Sequence, residues 1–532
     1  MEQFVVIDLL DVLKIDSLSS SHPIYVPVSH PDEINQIFDS ISYGKGASVI
    51  RMMYNYLGEE TFKKGLSNYL KKHQYDTATH KDLWDALNQQ AKADNKTANV
   101  AAIMDTWILQ MGYPVVTVTR NMDAGTAQVT QSRFLLDPVQ KPSTTYTSPF
   151  SYKWMVPFTY VVSSSPTWNE PPAVFMNMTD VTLTGLKKDD WIIGNIGHSG
   201  VYRVNYDGDN WQKLIEQLHT DHTVIPEQNR AQIIDDAFNL GRSGILDQVV
   251  AFKVTAYLKN EVDFTPWRTV FRNLAYIELM LDRTATRGLY EKYILRLIEP
   301  MYRTIKWDES TNSTHLEIYL RTMMLRVACL HGERDCVNNA TALFRQWMDN
   351  PTDNRIPADL KQTVYCTALK HGGLEEWNFA YKQYTIANVA VEKHKLLRSL
   401  SCSSKPWVLN SLLLRTLNKN DIRKQDIASV IASVSRTDIG RYIVWNFVRA
   451  NWDTIKGTLD GIFGIRRLTG FIAQGFNTQY ELEELDEFGA RHPEIGVSST
   501  AFRQRREETL ANIRWMADNQ HKIHEWLEKT TL

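Results

Sequence analysis

The chain has 532 residues and a mass of 61.4 kDa, which is more than one hydrophobic core usually organises, so we expect about two to four domains. Hydrophobic residues make up 43% and charged residues 23%, a balance that excludes a largely disordered chain. The net charge is −2, from 59 Lys and Arg against 61 Asp and Glu, so no global field attracts nucleic acid or an anionic membrane. No apolar run approaches the roughly 18 residues of a spanning helix.

Residues 1–112 have the apolar spacing that is typical of helices. The first residues lack the basic start and the cleavage site of a signal peptide, so we expect the chain to begin inside a domain. They predict an amphipathic helix, whose apolar side holds Phe4, Ile7, Leu10 and Ile15. A further helix over residues 47–57 stops at Gly58.

From Pro114 the apolar residues recur at every second position, which is the period of a strand. The clearest run of aromatic and β-branched residues spans Trp154–Val162. Turn-rich stretches separate this run from its neighbours, and short strands continue to Tyr206. This pattern predicts a small antiparallel β-sandwich over residues 113–206.

After Asp207 the helical period returns and continues to the C-terminus. More than 300 residues of successive helices without strict repeat identity predict an all-α, HEAT-like superhelical domain, an α-solenoid with degenerate units. The expected domains are therefore a helical part over 1–112, a sandwich over 113–206 and a solenoid over 207–532.

The cysteines and the glycosylation motifs favour an oxidising compartment. Four cysteines lie close together in the chain, and on spacing alone three pairings remain open, as do four buried free thiols; the residues are Cys329, Cys336, Cys366 and Cys402. Pairing of neighbours is the simplest arrangement, and no C-x-x-C knuckle suggests zinc. Four N-x-[ST] sequons begin at Asn95, Asn177, Asn312 and Asn339. Together these features favour a secreted or lumenal setting.

Taken one at a time, the catalytic signals are weak. The sequence contains no H-E-x-x-H, no G-x-S-x-G, no Walker loop and no dinucleotide-binding fingerprint. His219 with His222, and His521 with His524, have spacings that could hold a metal, but each pair lacks a third ligand and is better explained as a solvated helix face. On spacing alone, Tyr43 is a structural phenol just before a helix.

Several segments nevertheless stand together in a distinctive order. They are Leu18–Ile24, Phe38–Val49, Trp107–Val115, Tyr202–Asp207 and Asn229–Ala237. In this order they resemble the zinc aminopeptidases related to aminopeptidase N, and Phe38–Val49 resembles the segment that carries their catalytic tyrosine. Gln346–Pro351 and Ile422–Asp426 resemble the vertebrate aminopeptidase N type in particular. The resemblance spans nearly the whole chain.

The resemblance implies an N-terminal β domain, a thermolysin-like catalytic domain, a β-sandwich and a helical C-terminal domain. Residues 1–112 then correspond to the distal helical lobe of the catalytic domain. The family's zinc helix H-E-x-x-H, its downstream glutamate ligand and its G-A-M-E-N loop precede this lobe, and the sequence contains none of them. The family's cysteine spacings imply two disulfides, Cys329–Cys336 and Cys366–Cys402.

The resemblance also implies roles for two residues. In the family, zinc activates a water that attacks the peptide carbonyl, and a tyrosine hydroxyl donates a hydrogen bond to the resulting oxyanion. Tyr43 matches that tyrosine, and Phe38 matches a residue that lines the first side-chain pocket. The implied substrates are peptides, which lose N-terminal residues.

We therefore expect a C-terminal portion of an aminopeptidase N-like ectoenzyme, from a fragment or an incomplete gene model. We expect the chain alone to bind no zinc and to be inactive. The alternatives are a truncated product that acts as a non-catalytic binding or regulatory module, and an unrelated helical scaffold. An in-frame H-E-x-x-H upstream of Met1 would favour the first reading.

The same reading sets the partners and the location that we expect. The first expected partner is the missing N-terminal half, and the second is another copy of the chain, in a homodimer formed through the helical C-terminal domain. The expected location is the extracellular side of the plasma membrane or the secreted fraction, with any membrane anchor upstream of this chain.

Overall fold

The computed structural model describes residues 2–140, 145–307, 313–459, 462–496 and 500–531. These residues divide into two compact units. The first unit comprises Met1–Tyr257 and Thr269–Asn273, and the second comprises Leu258–Arg268 and Leu274–Leu532. Within the described ranges, no helix is both long enough and apolar enough to cross a membrane.

The first unit begins with helices, as the apolar spacing predicts. They are α1 (Glu2–Phe4), α2 (Leu10–Asp16), α3 (Pro31–Ile37), α4 (Gly46–Leu57), α5 (Glu59–Lys72), α6 (His80–Ala93) and α7 (Val100–Ile108). Gly58 ends α4 with a positive φ of 78°, a conformation that glycine adopts without a steric penalty. Thr79 and Asp82 form a capping box at the start of α6.

Two π-helical segments interrupt this region, Val5–Leu9 before α2 and Ile41–Lys45 before α4. The expected apolar side of the N-terminal helix is wrong at Ile7, which lies in the first segment, whereas Leu10 of that side is buried. Ile7 is half exposed, whereas Val5, Val6, Leu9, Leu10, Val12 and Leu13 are buried. A π-helix has more residues per turn than an α-helix, so side chains within and after it rotate away from the positions that the α-helical period gives.

A β-sandwich follows, in the region that the two-residue period indicates. Its strands are β1 (Pro114–Asn121), β2 (Thr126–Arg133), β3 (Met155–Val162), β4 (Ala173–Asn177), β5 (Val181–Thr184), β6 (Ile192–Gly194) and β7 (Arg203–Tyr206). One sheet has the order β5-β2-β1-β7 and the other has the order β4-β3-β6. The strand predicted within Trp154–Val162 is confirmed as β3, whose Val156, Phe158 and Val161 are fully buried.

The sandwich is not wholly antiparallel, which corrects the expectation from sequence. β1 and β7 are parallel, with Val116 opposite Val204, while the other strand pairs are antiparallel. A parallel pair needs a long crossover connection, and here the rest of the sandwich lies between the two strands. The period of two identifies a strand but carries no information about the direction of its neighbour, so the sequence pattern could not show this pair.

Helices then continue to the end of the chain. α8 (Gly208–Asp221), α9 (Glu227–Arg242) and α10 (Gln248–Val254) belong to the first unit, and the Thr269–Asn273 stretch of α11 (Phe264–Leu281) joins them. Asp207 caps α8 by accepting a hydrogen bond from the Asn210 amide.

The regular secondary structure in the described residues of the second unit is helical. Besides the two ends of α11 it contains α12 (Arg287–Thr304), α13 (His315–Leu330), α14 (Arg334–Asp349), α15 (Lys361–His371), α16 (Leu374–Ile386), α17 (Ala390–Ser399), α18 (Pro406–Arg415), α19 (Lys424–Ser435), α20 (Gly440–Ala450), α21 (Trp452–Thr458), α22 (Ile462–Thr469), α23 (Gln479–Arg491), α24 (Pro493–Gly496) and α25 (Thr500–Thr531). Both disulfides lie in this unit.

Candidate functional site

Tyr43 lies in the π-helical segment Ile41–Lys45, immediately before α4. Its side chain is 65% exposed. The Phe38 side chain is 51% exposed, and its ring centroid lies 6.1 Å from that of Tyr43 at an interplanar angle of 45°. π-helical turns frequently occur at functional sites, because the extra residue changes the direction in which a side chain points. Tyr43 and Phe38, the two residues to which the resemblance assigns roles, thus lie side by side on one exposed surface.

A buried ion pair anchors the segment on the C-terminal side of Tyr43. Lys45 is completely buried, and its Nζ lies 2.9 Å from Oδ2 of the equally buried Asp16. Lys45 Nζ also donates to the Gly112 carbonyl at 2.8 Å. The other oxygen of Asp16 accepts hydrogen bonds from the Ser21 hydroxyl at 2.6 Å and from the Gly112 amide at 2.8 Å. Both charges are therefore compensated, which the interior requires of buried ions.

A second polar contact anchors the N-terminal side of the segment. His22 Nε2 lies 2.9 Å from Oδ2 of Asp39, and His22 Nδ1 lies 2.7 Å from the Pro23 carbonyl. Both partners are acceptors, so a doubly protonated imidazolium satisfies both bonds. Burial lowers the pKa of His22, but the hydrogen bond and the charge of Asp39 outweigh it and raise that pKa above its ordinary value. Asp39 Oδ1 in turn accepts from the amides of Ile41 and Ser42, at 3.0 and 3.1 Å.

These contacts hold the backbone on both sides of Tyr43 while its phenol remains open to solvent. An oxyanion donor needs this combination, because a pre-oriented O–H group requires no reorganisation when charge develops on the substrate. Sequence reasoning found Tyr43 and Phe38 but missed the anchoring pairs Lys45–Asp16 and His22–Asp39. Asp16, His22 and Lys45 stand among ordinary polar positions in the sequence, and only the fold shows that they are buried.

A buried charge cluster joins two more of the segments that carry the family resemblance. Arg203 of β7 places its Nη1 atom 2.6 Å from Asp235 Oδ2 and 3.1 Å from Asp236 Oδ1, both on α9. Arg203 Nε donates to the Tyr113 hydroxyl at 3.3 Å. Burial raises the pKa of Asp236 to about 7, and the charge of Asp235 adds to the rise, while the Arg203 guanidinium opposes it. This cluster fixes the sandwich against α9 within the first unit.

The described residues do not supply a zinc site. No group of three or more His, Cys, Asp or Glu side chains among them is arranged to hold a metal ion. Nδ1 of His524, one of the spaced histidines, lies 3.0 Å from the Thr286 hydroxyl. His222 packs its ring 5.4 Å from that of Tyr257. The described part of this chain therefore does not fit the metal that the family resemblance implies.

The cysteines pair as neighbours, as the resemblance implied. Cys329 is bonded to Cys336 with a Cα–Cα distance of 5.1 Å, and Cys366 is bonded to Cys402 with a Cα–Cα distance of 5.2 Å. Both distances lie in the usual range for disulfides. The first bond links α13 to α14, and the second links α15 to the 3₁₀ turn Leu400–Cys402. The free-thiol alternative is therefore wrong for this structure.

The sequon asparagines have different surroundings. Asn95 and Asn177 are exposed, and Asn95 has a left-handed backbone just after α6. Asn339 is half-buried within α14, where its amide donates to the Asp335 carbonyl at 2.9 Å. Asn312 lies outside the described residues. Carbohydrate attachment at these positions stays a prediction.

Comparisons with known proteins show the family to which this chain belongs. Residues 1–107 match the model described as the peptidase family M1 domain, and residues 191–514 match the model described as the ERAP1-like C-terminal domain. The exposed tyrosine segment thus falls within the peptidase match, and the helical region forms most of the second match. The chain belongs to peptidase family M1, whose members are zinc-dependent aminopeptidases.

Within that family, the chain is similar to aminopeptidase N. It is 38% identical to aminopeptidase N of Rattus norvegicus over 542 residues and 36% identical to that of Homo sapiens over 539 residues; both alignments cover 98% of this chain and 55% of the relative. It is 34% identical to the thyrotropin-releasing hormone-degrading ectoenzyme of Rattus norvegicus, covering 99% of this chain and 50% of that protein. The chain spans about half the length of the curated relatives it matches.

Proposed function

We propose that residues 1–532 form the C-terminal portion of an aminopeptidase N-like enzyme that removes N-terminal residues from peptides. The observation that carries this proposal is the exposed Tyr43 phenol, held on a π-helical turn between two polar anchors within the peptidase family M1 match. In the complete enzyme, Tyr43 donates its O–H hydrogen bond to the oxyanion that forms when the peptide carbonyl is attacked. A donor of this kind typically stabilises the transition state by about 3–4 kcal/mol.

Phe38 is the proposed wall of the pocket for the first side chain of the substrate. Its ring is half exposed and lies beside that of Tyr43, so an apolar side chain of a peptide bound at the phenol would reach it. Burial of apolar surface against the ring would favour neutral N-terminal residues. This contact would act on substrate binding, whereas Tyr43 acts on the transition state.

The zinc of the complete enzyme is proposed to be held by residues outside this chain. The proposal rests on the sequence, which has no H-E-x-x-H, and on the absence of a ligand group among the described residues. The isolated chain is then inactive, because an oxyanion donor lowers a barrier only where a nucleophile creates the oxyanion. An alternative is a non-catalytic truncated product that acts as a binding or regulatory module.

An extracellular location and the remaining architecture complete the proposal. Two disulfides and the two exposed sequon residues Asn95 and Asn177 support a compartment outside the cytosol. The domains are proposed to be the distal catalytic lobe over 1–112, the sandwich over 113–206 and a HEAT-like superhelix over 207–532. The successive helices of the second unit support the superhelix, on which a homodimer interface is proposed.

A direct test compares residues 1–532 alone with a chimera in which they replace the matching C-terminal part of rat aminopeptidase N. We expect the isolated chain to bind no stoichiometric zinc and to release no chromophore from an aminoacyl p-nitroanilide. We expect the chimera to bind zinc and to turn the substrate over. Chelator-sensitive turnover by the isolated chain would contradict the proposal. A folded, zinc-loaded but inactive chimera would instead favour the non-catalytic module.

A further inference from the structure

A concave part of the second unit carries an unusual concentration of positive charge. A cavity of about 180 Å³ lies between α13, α15, α17 and the end of α19. Its charged lining residues are Arg326, Lys370, Arg398 and Arg436, and its described lining contains no Asp or Glu. The lining is thus formally +4.

Two of these arginines have no acidic partner in the described part of the chain. Neither Arg326 nor Arg398 forms an ion pair there, although most arginines of the second unit do, for example Arg441 with Asp282 and Arg449 with Glu484. Lys370 Nζ donates to the Leu330 carbonyl at 2.8 Å and forms no ion pair with an acidic side chain among the described residues. Arg326 and Arg398 lie near further positive charges and repel them, so this arrangement is costly when the cavity is empty.

The charges also act on one another. Crowding by protein atoms lowers the pKa of the Arg326 guanidinium, and the positive charges of Arg398, Arg268 and Arg436 lower it further. Arg326 is nevertheless exposed to solvent. It therefore lies in the wall of an open cavity and not in a closed core. An arginine keeps its proton under these conditions, and the site remains cationic.

The wall of the cavity is held in place covalently. Cys329, Cys366 and Cys402 line it, so both disulfides contribute to its wall. Cys366–Cys402 ties the helix that carries Lys370 to the turn that follows the helix of Arg398. A site whose charged groups stand on cross-linked helices loses less entropy when it binds a ligand.

An adjoining cavity of about 380 Å³ extends this space and shares Arg326, Lys370 and Arg436 with it. Glu278 and Asp438 line the second cavity, but both face Arg287, at 2.9 and 3.7 Å. The acids nearest the cluster are therefore already engaged with a different arginine. The two cavities together have room for a small molecule with several charged groups.

We propose that this cationic cavity binds a small polyanion, a ligand with at least two carboxylate or phosphate groups. Guanidinium groups match both kinds of oxyanion, since their planar forks donate two parallel hydrogen bonds. A ligand with a single negative charge would leave most of the cluster uncompensated, which is why a polyanion is required. The site lies wholly within the second unit, and its occupation does not depend on the proposed peptidase activity.

The test is isothermal titration calorimetry of the 532-residue chain in 0.15 M NaCl. Tricarballylate presents carboxylates, pyrophosphate presents phosphates, and acetate serves as the single-charge control. We expect saturable binding of tricarballylate or pyrophosphate with a stoichiometry of one and no measurable binding of acetate. The tighter of the two ligands identifies which kind of oxyanion the site takes.

The variants Arg326→Gln and Arg398→Gln should each weaken this binding at least about tenfold, because each removes a charge-assisted contact. Arg303→Gln is the matched control, since Arg303 is exposed on α12 and pairs with its neighbour Glu299. It should bind as the wild type does. The ligand-free Arg326→Gln and Arg398→Gln proteins should unfold at the wild-type temperature or higher, because each substitution relieves repulsion. Absence of binding by both polyanions, or undiminished binding in both cavity variants, would overturn the proposal.

Discussion

Lys45 shows how a single buried charge positions the candidate catalytic segment. Its ammonium group lies 2.9 Å from Asp16 in a fully buried pair, two residues after Tyr43. Removal of one partner from such a pair leaves the other charge uncompensated, which typically costs about 3–5 kcal/mol. The stability of the helical lobe and the orientation of Tyr43 therefore depend on the same contact.

We predict that Lys45→Met lowers the free energy of unfolding by about 3–5 kcal/mol, measured by urea denaturation of the chain. Adding Asp16→Leu to this variant should recover a large part of the loss, because the uncompensated carboxylate is then gone. Lys64→Met is the matched control, since Lys64 and Glu60 form a mostly exposed pair at 3.8 Å, and it should change stability by less than about 1 kcal/mol. Equal effects of the two lysine substitutions would contradict this account.

His22 makes the same region dependent on pH. Its folded pKa is raised above the unfolded value of about 6.5, with Asp39 supplying the hydrogen bond and the charge. A raised pKa means that the folded state holds the proton more tightly than the unfolded state does. The stabilisation is therefore complete below about pH 6.5 and is lost as the pH rises through the folded pKa.

We predict that the stability difference between wild type and Asp39→Asn is largest near pH 6 and shrinks toward pH 8.5. Asparagine keeps the oxygen that accepts from the amides of Ile41 and Ser42, so the substitution removes mainly the charge. Urea unfolding across this range measures the difference, and the proton resonances of His22 report its titration. A difference that is constant or grows with pH would show that the pair is not proton-linked.

At the scale of single residues, the resemblance identified Tyr43 and Phe38, and the structure places them on one exposed surface. The anchoring residues were not predictable, because a polar residue has the same letter whether it is solvated or buried. Asp16 and Lys45 acquire their roles only when α2 and the π-helical segment come together. Burial of charge is a property of the fold, and single positions in the sequence do not reveal it.

At the scale of structural elements, the two disulfides close loops of very different length. Cys329 and Cys336 are 7 residues apart, whereas Cys366 and Cys402 are 36 apart. A cross-link stabilises a protein largely by restricting its unfolded chain, and this restriction grows with loop length.

We predict that Cys366→Ala with Cys402→Ala lowers the free energy of unfolding by about 4 kcal/mol, and that the corresponding double change at Cys329 and Cys336 lowers it by about 2–3 kcal/mol. Chemical denaturation with both proteins under the same non-reducing conditions measures the two losses. The reverse order of the losses would show that strain or local packing, and not loop length, determines the contribution of these bonds.

The elements also show which local patterns are informative. The period of two identified β3, whose Val156 and Phe158 are buried at alternate positions, although the alternation ends before the buried Val161. The α-helical period failed at the N-terminus, because the π-helical Val5–Leu9 segment places Ile7 toward solvent. The period of two also could not predict that β1 and β7 are parallel, because pairing direction depends on connections that span the whole sandwich.

At the scale of the whole molecule, the first unit connects the helical lobe, the sandwich and α8–α10. Trp107 Nε1 donates to the Met155 carbonyl at 3.0 Å, and Arg203 joins β7 to the acids of α9. The segments that carry the family resemblance thus meet at the contacts between these parts. The order of motifs along the sequence indicated the family, but only the fold shows that these motifs hold the parts together.

Tyr43→Phe in the zinc-loaded chimera with rat aminopeptidase N tests most directly whether Tyr43 is the proposed oxyanion donor. We expect kcat to fall by roughly 10²–10³ while zinc content and thermal stability stay unchanged, because only a hydrogen bond to the transition state is removed. Tyr25→Phe, a change at another exposed tyrosine of the first unit, should retain wild-type kcat. A Tyr43→Phe chimera with full activity would contradict the account and leave Tyr43 with a structural role alone.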